Sequence, residues 1–256
     1  MLLPAAPGSR LLDPDPEATL QEGVRLLVVD RPGYGESTPY PPDTTPSWGG
    51  VADDLAVALD ALDITALSVA GWSNGGVGSL AFAARHPQQV RSVAVLGAPA
   101  PHDEVPWVPD DLWPVLEAMR QEPEAALAQM IDALAPMLAD LPAATDGLGA
   151  GAEDERILAG PARPRLDAMI EEAFRTGAAG LAADIVATNV ATRGFDLAAV
   201  ECPAHLFYGD DDQVVSAEHG EYYRNHLPAA RLRVVSGAGH LLLIEHWGDV
   251  LRTVLA

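Results

Sequence analysis

Short apolar runs and stretches of helical period alternate through most of the chain. Val24 to Val29 is apolar almost throughout and enters Asp30-Arg31-Pro32-Gly33-Tyr34-Gly35, which predicts a fully buried parallel strand running into a glycine-rich loop. Ser47 stands where it can cap a helix carrying Val51, Leu55, Leu59 and Leu62 near the helical repeat. Ala66 to Ala70 predicts a strand, the alanine-rich segment ending near Arg85 a helix, and Ser92 to Leu96 a further strand. Leu206 to Gly209 and Arg231 to Val235 predict two more. This alternation implies an α/β fold, a mostly parallel sheet with helices on both faces.

Between about His102 and Thr192 strand signals vanish. Leu112, Val115, Leu116 and Met119 make one apolar stripe, and Leu127, Met130, Ile131, Leu134 and Leu138 make another that Pro136 is expected to kink. Thr145 to Gly160 is rich in glycine and acidic residues and is expected to be a flexible connection. The domain reading is therefore a core built from residues 1–101 and 193–256, with a helical lid, residues 102–192, inserted between core strands. Met119, Met130, Met137, Met169, Trp107 and Trp113 lie in the lid, where such residues either form its core or line an adaptable apolar pocket.

A chain of 256 residues can bury a substantial core. Its net charge is −22, with 37 acidic residues against 15 basic ones, all arginine. So acidic a surface argues against nucleic acid and anionic membranes as partners; the expected partner is a small-molecule substrate. The uncharged stretch between Asp63 and Arg85 approaches membrane-spanning length, but Ser73, Asn74 and several glycines inside it fit a strand and helix parted by a turn. With no secretory signal in the N-terminal residues, a cytoplasmic protein is expected. The single cysteine, Cys202, reads as a small apolar filler.

Candidate chemistry begins at Gly71-Trp72-Ser73-Asn74-Gly75-Gly76, between the predicted strand and helix. A serine at the apex of so tight a turn needs small neighbours two positions away on each side, and its hydroxyl then stands at a helix N-terminus. There the Asn74 amide can donate to a developing oxyanion, helped by the helix dipole. Taken alone, Gly-x-Ser-x-Gly is a weak pattern in a chain with 23 glycines. Two later strands strengthen it: one runs into Asp210-Asp211-Asp212 and the other into Gly237-Ala238-Gly239-His240. A histidine base needs a carboxylate to fix its tautomer and stabilise the imidazolium. A metal site drawn from these aspartates with His240 or His219 finds no short-spaced His or Cys ligand set, so neither metal nor cofactor is expected.

PGSR at 7–10, DRPGYGES at 30–37, GWSNGG at 71–76, GFDL at 194–197, HLFYGDDDQVV at 205–215 and GAGHLLLIEHW at 237–247 together resemble the α/β-hydrolase superfamily, nearest its lid-bearing bacterial serine hydrolases. The likeness spans almost the whole chain. It implies Ser73 as nucleophile, Asp212 rather than Asp210 or Asp211 as the acid, and His240 as the base. His86, His102, His205, His219, His226 and His246 match no triad position and are expected to be surface or structural. Asp30 and Arg31 are implied to hold the glycine-rich loop near the pocket mouth.

The chain departs from the family at its start. The family opens with a strand hairpin and then a strand ending in His-Gly, whereas here Pro4-Ala5 stands in place of His-Gly and the first two strands are missing. The resemblance assigns the second oxyanion amide to Ala6, which Pro4 and the Cβ of Ala5 are expected to disturb; losing one such donor costs about a hundredfold to a thousandfold in rate. The strand at Val24 to Val29 is left with an apolar edge, which predicts either that a second copy of the chain covers it or that the natural start lies upstream. The expected function is hydrolysis of an ester, thioester or lactone of a small to medium apolar substrate through an acyl-enzyme. The alternatives are other triad chemistry on the same fold, namely a carbon–carbon hydrolase, perhydrolase or lyase, and a non-catalytic binding protein with an impaired oxyanion hole.

Overall fold

The computed structural model describes residues 1–256. Five strands form one parallel sheet in sequence order: β1 (Leu2–Leu3), β2 (Leu67–Trp72), β3 (Val90–Leu96), β4 (Ala204–Gly209) and β5 (Ala230–Val235). Successive side chains point to opposite faces, and here both faces are covered. Leu3, Val69, Val93, Val95, Leu206 and Tyr208 enter one apolar cluster, packed by α2 (Trp48–Ala61), α3 (Asn74–Arg85) and α10 (Ala217–His226). Leu2, Ala70, Trp72, Ala94, Leu96 and Phe207 enter the other, packed chiefly by α11 (Leu242–Leu255), against which the short α1 (Pro16–Gln21) lies, Thr19 Oγ1 accepting from Trp247 Nε1. The α2 boundary follows from Ser47, whose Oγ accepts the Gly50 amide at 3.1 Å.

The strand expected at Val24 to Val29 is reduced to a single bridge. Leu2 pairs with Val28 and donates its amide to the Leu27 carbonyl, while β1 uses its other edge on β2. A neighbour only two residues long supplies no longer ladder. The run is half-buried rather than fully buried: Val24, Leu26 and Val28 lean on one cluster, Leu27 and Val29 on the other.

Between β3 and β4 there is no strand, and the regular elements are helices: α4 (Trp113–Gln121), α5 (Pro123–Leu134), α6 (Leu141–Asp146), α7 (Ala152–Leu158), α8 (Arg163–Ala173) and α9 (Ala179–Asn189). Leu116, Met119, Leu127 and Met130 of α4 and α5 pack on Ala182, Ala183 and Val186 of α9 as a third cluster. Leu112 and Val115, expected in the same stripe, are about half exposed. Pro136 does more than kink the second stripe: α5 ends at Leu134 and a 3-10 turn, Ala135–Ala139, follows. The segment expected to be a flexible connection holds α7, whose Asp154 is fully buried. No helix is long and apolar enough to cross a membrane.

Candidate active site

Ser73 joins β2 to α3 with φ 54° and ψ −128°, one of two non-glycine residues at positive φ. Such a conformation costs on the order of 1–3 kcal/mol and persists only where the surroundings impose it. Here β2 holds one side, with the Ser73 amide on the Leu96 carbonyl at 2.8 Å, and α3 holds the other, with the Gly76 amide on the Ser73 carbonyl at 2.8 Å. The flanking glycines are sterically required. A Cβ on Gly71 would collide with the Gly75 carbonyl and the Ser79 hydroxyl, and one on Gly75 with the Leu3 and Pro4 carbonyls. The second collision also shows how closely the start of α3 lies against the chain leaving β1.

Asp212 lies in the loop after β4, with its side chain fully buried. Oδ1 accepts the amides of Val214 and Val215, both at 2.8 Å, and Oδ2 meets His240 Nδ1 at 2.8 Å. With Nδ1–H donated to the carboxylate, Nε2 is the imidazole nitrogen left free to act as a base. Of its neighbours, Asp210 accepts the Gly237 amide at 2.6 Å and Asp211 is exposed.

His240 precedes α11 and is 3 % exposed. Its carbonyl accepts Trp72 Nε1–H at 2.9 Å, and the two rings lie tilted with centroids 5.8 Å apart. The ring lies over Gly97, where an added Cβ would come within 3.2 Å of Nδ1 and Cε1. The structure thus joins Asp212 to His240 directly, and both residues meet Gly97, the neighbour of the Leu96 carbonyl that holds Ser73. It does not join the Ser73 hydroxyl to the imidazole: Ser73 Oγ makes no hydrogen bond in this conformation. Catalytic bonds of this kind are often loose without substrate and tighten when it binds.

Ala6 and Asn74 line the same cavity of about 490 Å³, with Pro7 beside them. The opposite wall comes from the helical block, through Trp107, Leu134, Met137, Leu181 and Ile185. Asp140 and Asn189 are its polar members. Met137 is therefore the pocket-lining methionine, while Met119, Met130 and Met169 are core. Ser73, Asp212 and His240 line neither this cavity nor a larger one, about 780 Å³, that opens at the other end of the sheet near Ser92, His205 and Arg231.

Sequence reasoning gave Arg31 only a general structural part; its contacts are specific. The guanidinium, 2 % exposed, donates from Nη1 to the Pro4 carbonyl and from Nη2 to the Ala5 carbonyl, each at 2.9 Å. Its remaining donors meet Asp184 of α9, which also accepts the Tyr34 hydroxyl at 2.8 Å. Burial alone would lower the Arg31 pKa, but the Asp184 charge and the Tyr34 hydroxyl hold it above its ordinary value. In a trans peptide C=O and N–H point opposite ways, so fixing the Ala5 carbonyl on Arg31 turns the Ala6 N–H away from it. No sequence motif announces these contacts.

The other histidines lie outside this cluster or serve structure. His219, 1 % exposed on α10, accepts the Ala100 amide at 3.0 Å, and burial pulls its pKa down to about 4. His86 meets Asp53, and His102 stacks on Trp113.

A sequence model described as the alpha/beta hydrolase fold matches residues 1–246. Among curated proteins, the chain is similar to a pimeloyl-acyl-carrier-protein methyl ester esterase of Chromobacterium violaceum, 30 % identical over 89 % of this chain and 81 % of that one. It is also similar to a 2-hydroxy-6-oxononadienedioate/2-hydroxy-6-oxononatrienedioate hydrolase of Cupriavidus pinatubonensis, 27 % identical over 95 % of this chain and 79 % of that one. Among solved structures, a hydrolase from Pseudomonas aeruginosa superposes with a TM-score of 0.69 at 23 % identity, covering 99 % of this chain and 88 % of the other. Sheet topology, the tight serine turn and the whole-length family match agree: the chain belongs to the α/β-hydrolase family.

Proposed function

We propose that the chain is a serine hydrolase that cleaves an ester, thioester or lactone of a small to medium apolar substrate through an acyl-enzyme. The observation that carries this reading is Ser73 at positive φ at the end of β2, together with a buried His240–Asp212 pair after β4 and β5 that Trp72, the residue before Ser73, ties to β2 through the His240 carbonyl. Ser73 Oγ attacks the carbonyl carbon while its proton passes to His240 Nε2, and Asp212 stabilises the imidazolium. The amides of Asn74 and Ala6 take the negative charge on the carbonyl oxygen. The leaving alcohol, thiol or ring hydroxyl departs with the proton held by His240. Water, deprotonated by His240, then releases the acid and regenerates Ser73.

The apolar wall of the cavity supports an apolar acyl or alcohol group, and the helical block 102–192 serves as the lid over it. The similarity to the Cupriavidus pinatubonensis hydrolase brings in carbon–carbon bond hydrolysis as a second reading. A dioate carries two carboxylates, whereas the lining of this cavity is mostly apolar and offers no arginine or histidine to pair with them; the ester reading is favoured. The protein is further read as cytoplasmic, with a second copy of the chain pairing at the open edge beside Val24 to Val29.

The test is turnover of uncharged short-chain p-nitrophenyl esters. The wild type is expected to hydrolyse them, with Ser73→Ala lowering kcat by at least about a thousandfold. Equal turnover by the two proteins would overturn the assignment.

A further inference from the structure

Asp154 stands in the first turn of α7, fully buried, and its side chain forms no salt bridge with an arginine or histidine side chain. Its carboxylate is satisfied by backbone amides alone. Oδ2 accepts from His240 at 2.9 Å and from Ala150 at 3.0 Å, and Oδ1 accepts from Leu241 at 2.8 Å. His240 and Leu241 immediately precede α11, a helix whose first turn has no capping side chain of its own. The first amides of a helix have no partner within it, and its dipole favours negative charge at that end. Asp154 supplies both acceptor and charge from a segment 86 residues away. Space for it is made by two glycines: a Cβ on Gly149 would lie 2.7 Å from the carboxylate, and one on Gly239 would collide with it.

We infer that Asp154 is a positioning residue for His240, so that the α7 segment of the helical block is part of the catalytic apparatus. The inference rests on the reading of His240 as the general base. His240 is then held at three points: Asp212 fixes the ring through Nδ1, Trp72 fixes the carbonyl, and Asp154 fixes the amide. The Trp72 contact comes from the nucleophile's own strand, which ties Ser73 and His240 to one frame. Removing the amide anchor lets the start of α11 relax and carries the imidazole off the line to Ser73. Displacements of about 1 Å in such a constellation cost up to about a hundredfold in rate.

The test compares wild type, Asp154→Ala, Asp154→Asn and, as a control on the same helix, the exposed Glu155→Gln. Ester hydrolysis gives kcat and KM, and proton NMR follows the downfield Nδ1–H signal of the His240–Asp212 pair. Asp154→Ala is expected to lower kcat by about tenfold to a hundredfold, with KM within about twofold, and to broaden or abolish the downfield signal. Asp154→Asn, which keeps the shape but turns an NH₂ toward an amide donor, is expected to follow it and carries the test if the alanine variant does not fold. Glu155→Gln is expected to match wild type. A kcat within twofold of wild type in the folded Asp154 variants, with the downfield signal unchanged, overturns the inference. If the wild type turns over no ester, the serine hydrolase reading has failed; the NMR signal then decides the role of Asp154 by itself, and an unchanged signal refutes it.

Discussion

Ser73 occupies a backbone conformation that only glycine adopts freely, and it is held there by β2 on one side and α3 on the other. Strain of this kind sets function against stability. Replacing Ser73 with glycine relieves it, and we expect Ser73→Gly to be more stable than wild type by about 1 kcal/mol while losing ester turnover. Urea unfolding checks this: an unchanged or lower midpoint would mean that the turn is not strained. The pattern around the serine was legible because the turn itself demands Gly71, whose Cβ would strike the Gly75 carbonyl, whereas the demand on Gly75 comes from the distant Leu3 and Pro4 carbonyls. The Asp212–His240 pair was legible only through the family resemblance. Nothing in Asp210-Asp211-Asp212 by itself says which carboxylate turns inward to meet a ring 28 residues later.

At the level of elements, the oxyanion site proposed at Ala6 and Asn74 depends on how β1 leaves the sheet. Pro4 and Ala5 were expected to disturb the Ala6 amide; Arg31 grips both of their carbonyls, and Ala6 lines the same cavity as Asn74. Arg31→Gln is expected to act twice. It leaves Asp184 as a buried charge without its cation, which costs about 3–5 kcal/mol in unfolding free energy. It also frees the Ala5–Ala6 peptide, lowering kcat by about a hundredfold with little change in KM. Chemical denaturation and initial rates check the two effects separately; wild-type kcat in a destabilised variant would mean that Arg31 serves stability alone. These contacts were hidden from sequence reasoning because they link positions far apart: Arg31 to Asp184 across 153 residues, and Asp154 to His240 across 86. Composition pointed the wrong way for Asp154, since an acidic, glycine-rich stretch reads as solvated loop until its carboxylate meets the amides at the start of α11.

For the whole molecule, β2, β3 and β4 are buried almost continuously and send alternate side chains to opposite faces, so that with the apolar faces of their helices they divide the core into a cluster on each side of the sheet, and that much follows from hydrophobic pattern. The Val24 to Val29 run was over-read because its pattern suits a central strand while its neighbour, β1, offers only two residues to pair with. The architecture brings the ends of β2, β3 and β4 together, and the account as a whole stands on Ser73 being the group activated there. A fluorophosphonate reagent followed by peptide mapping tests that most directly. The account predicts one adduct per chain, on Ser73, formed rapidly by wild type and lost in both Ser73→Ala and His240→Ala. Equal labelling of wild type and Ser73→Ala, or an adduct mapped to another residue, would contradict it.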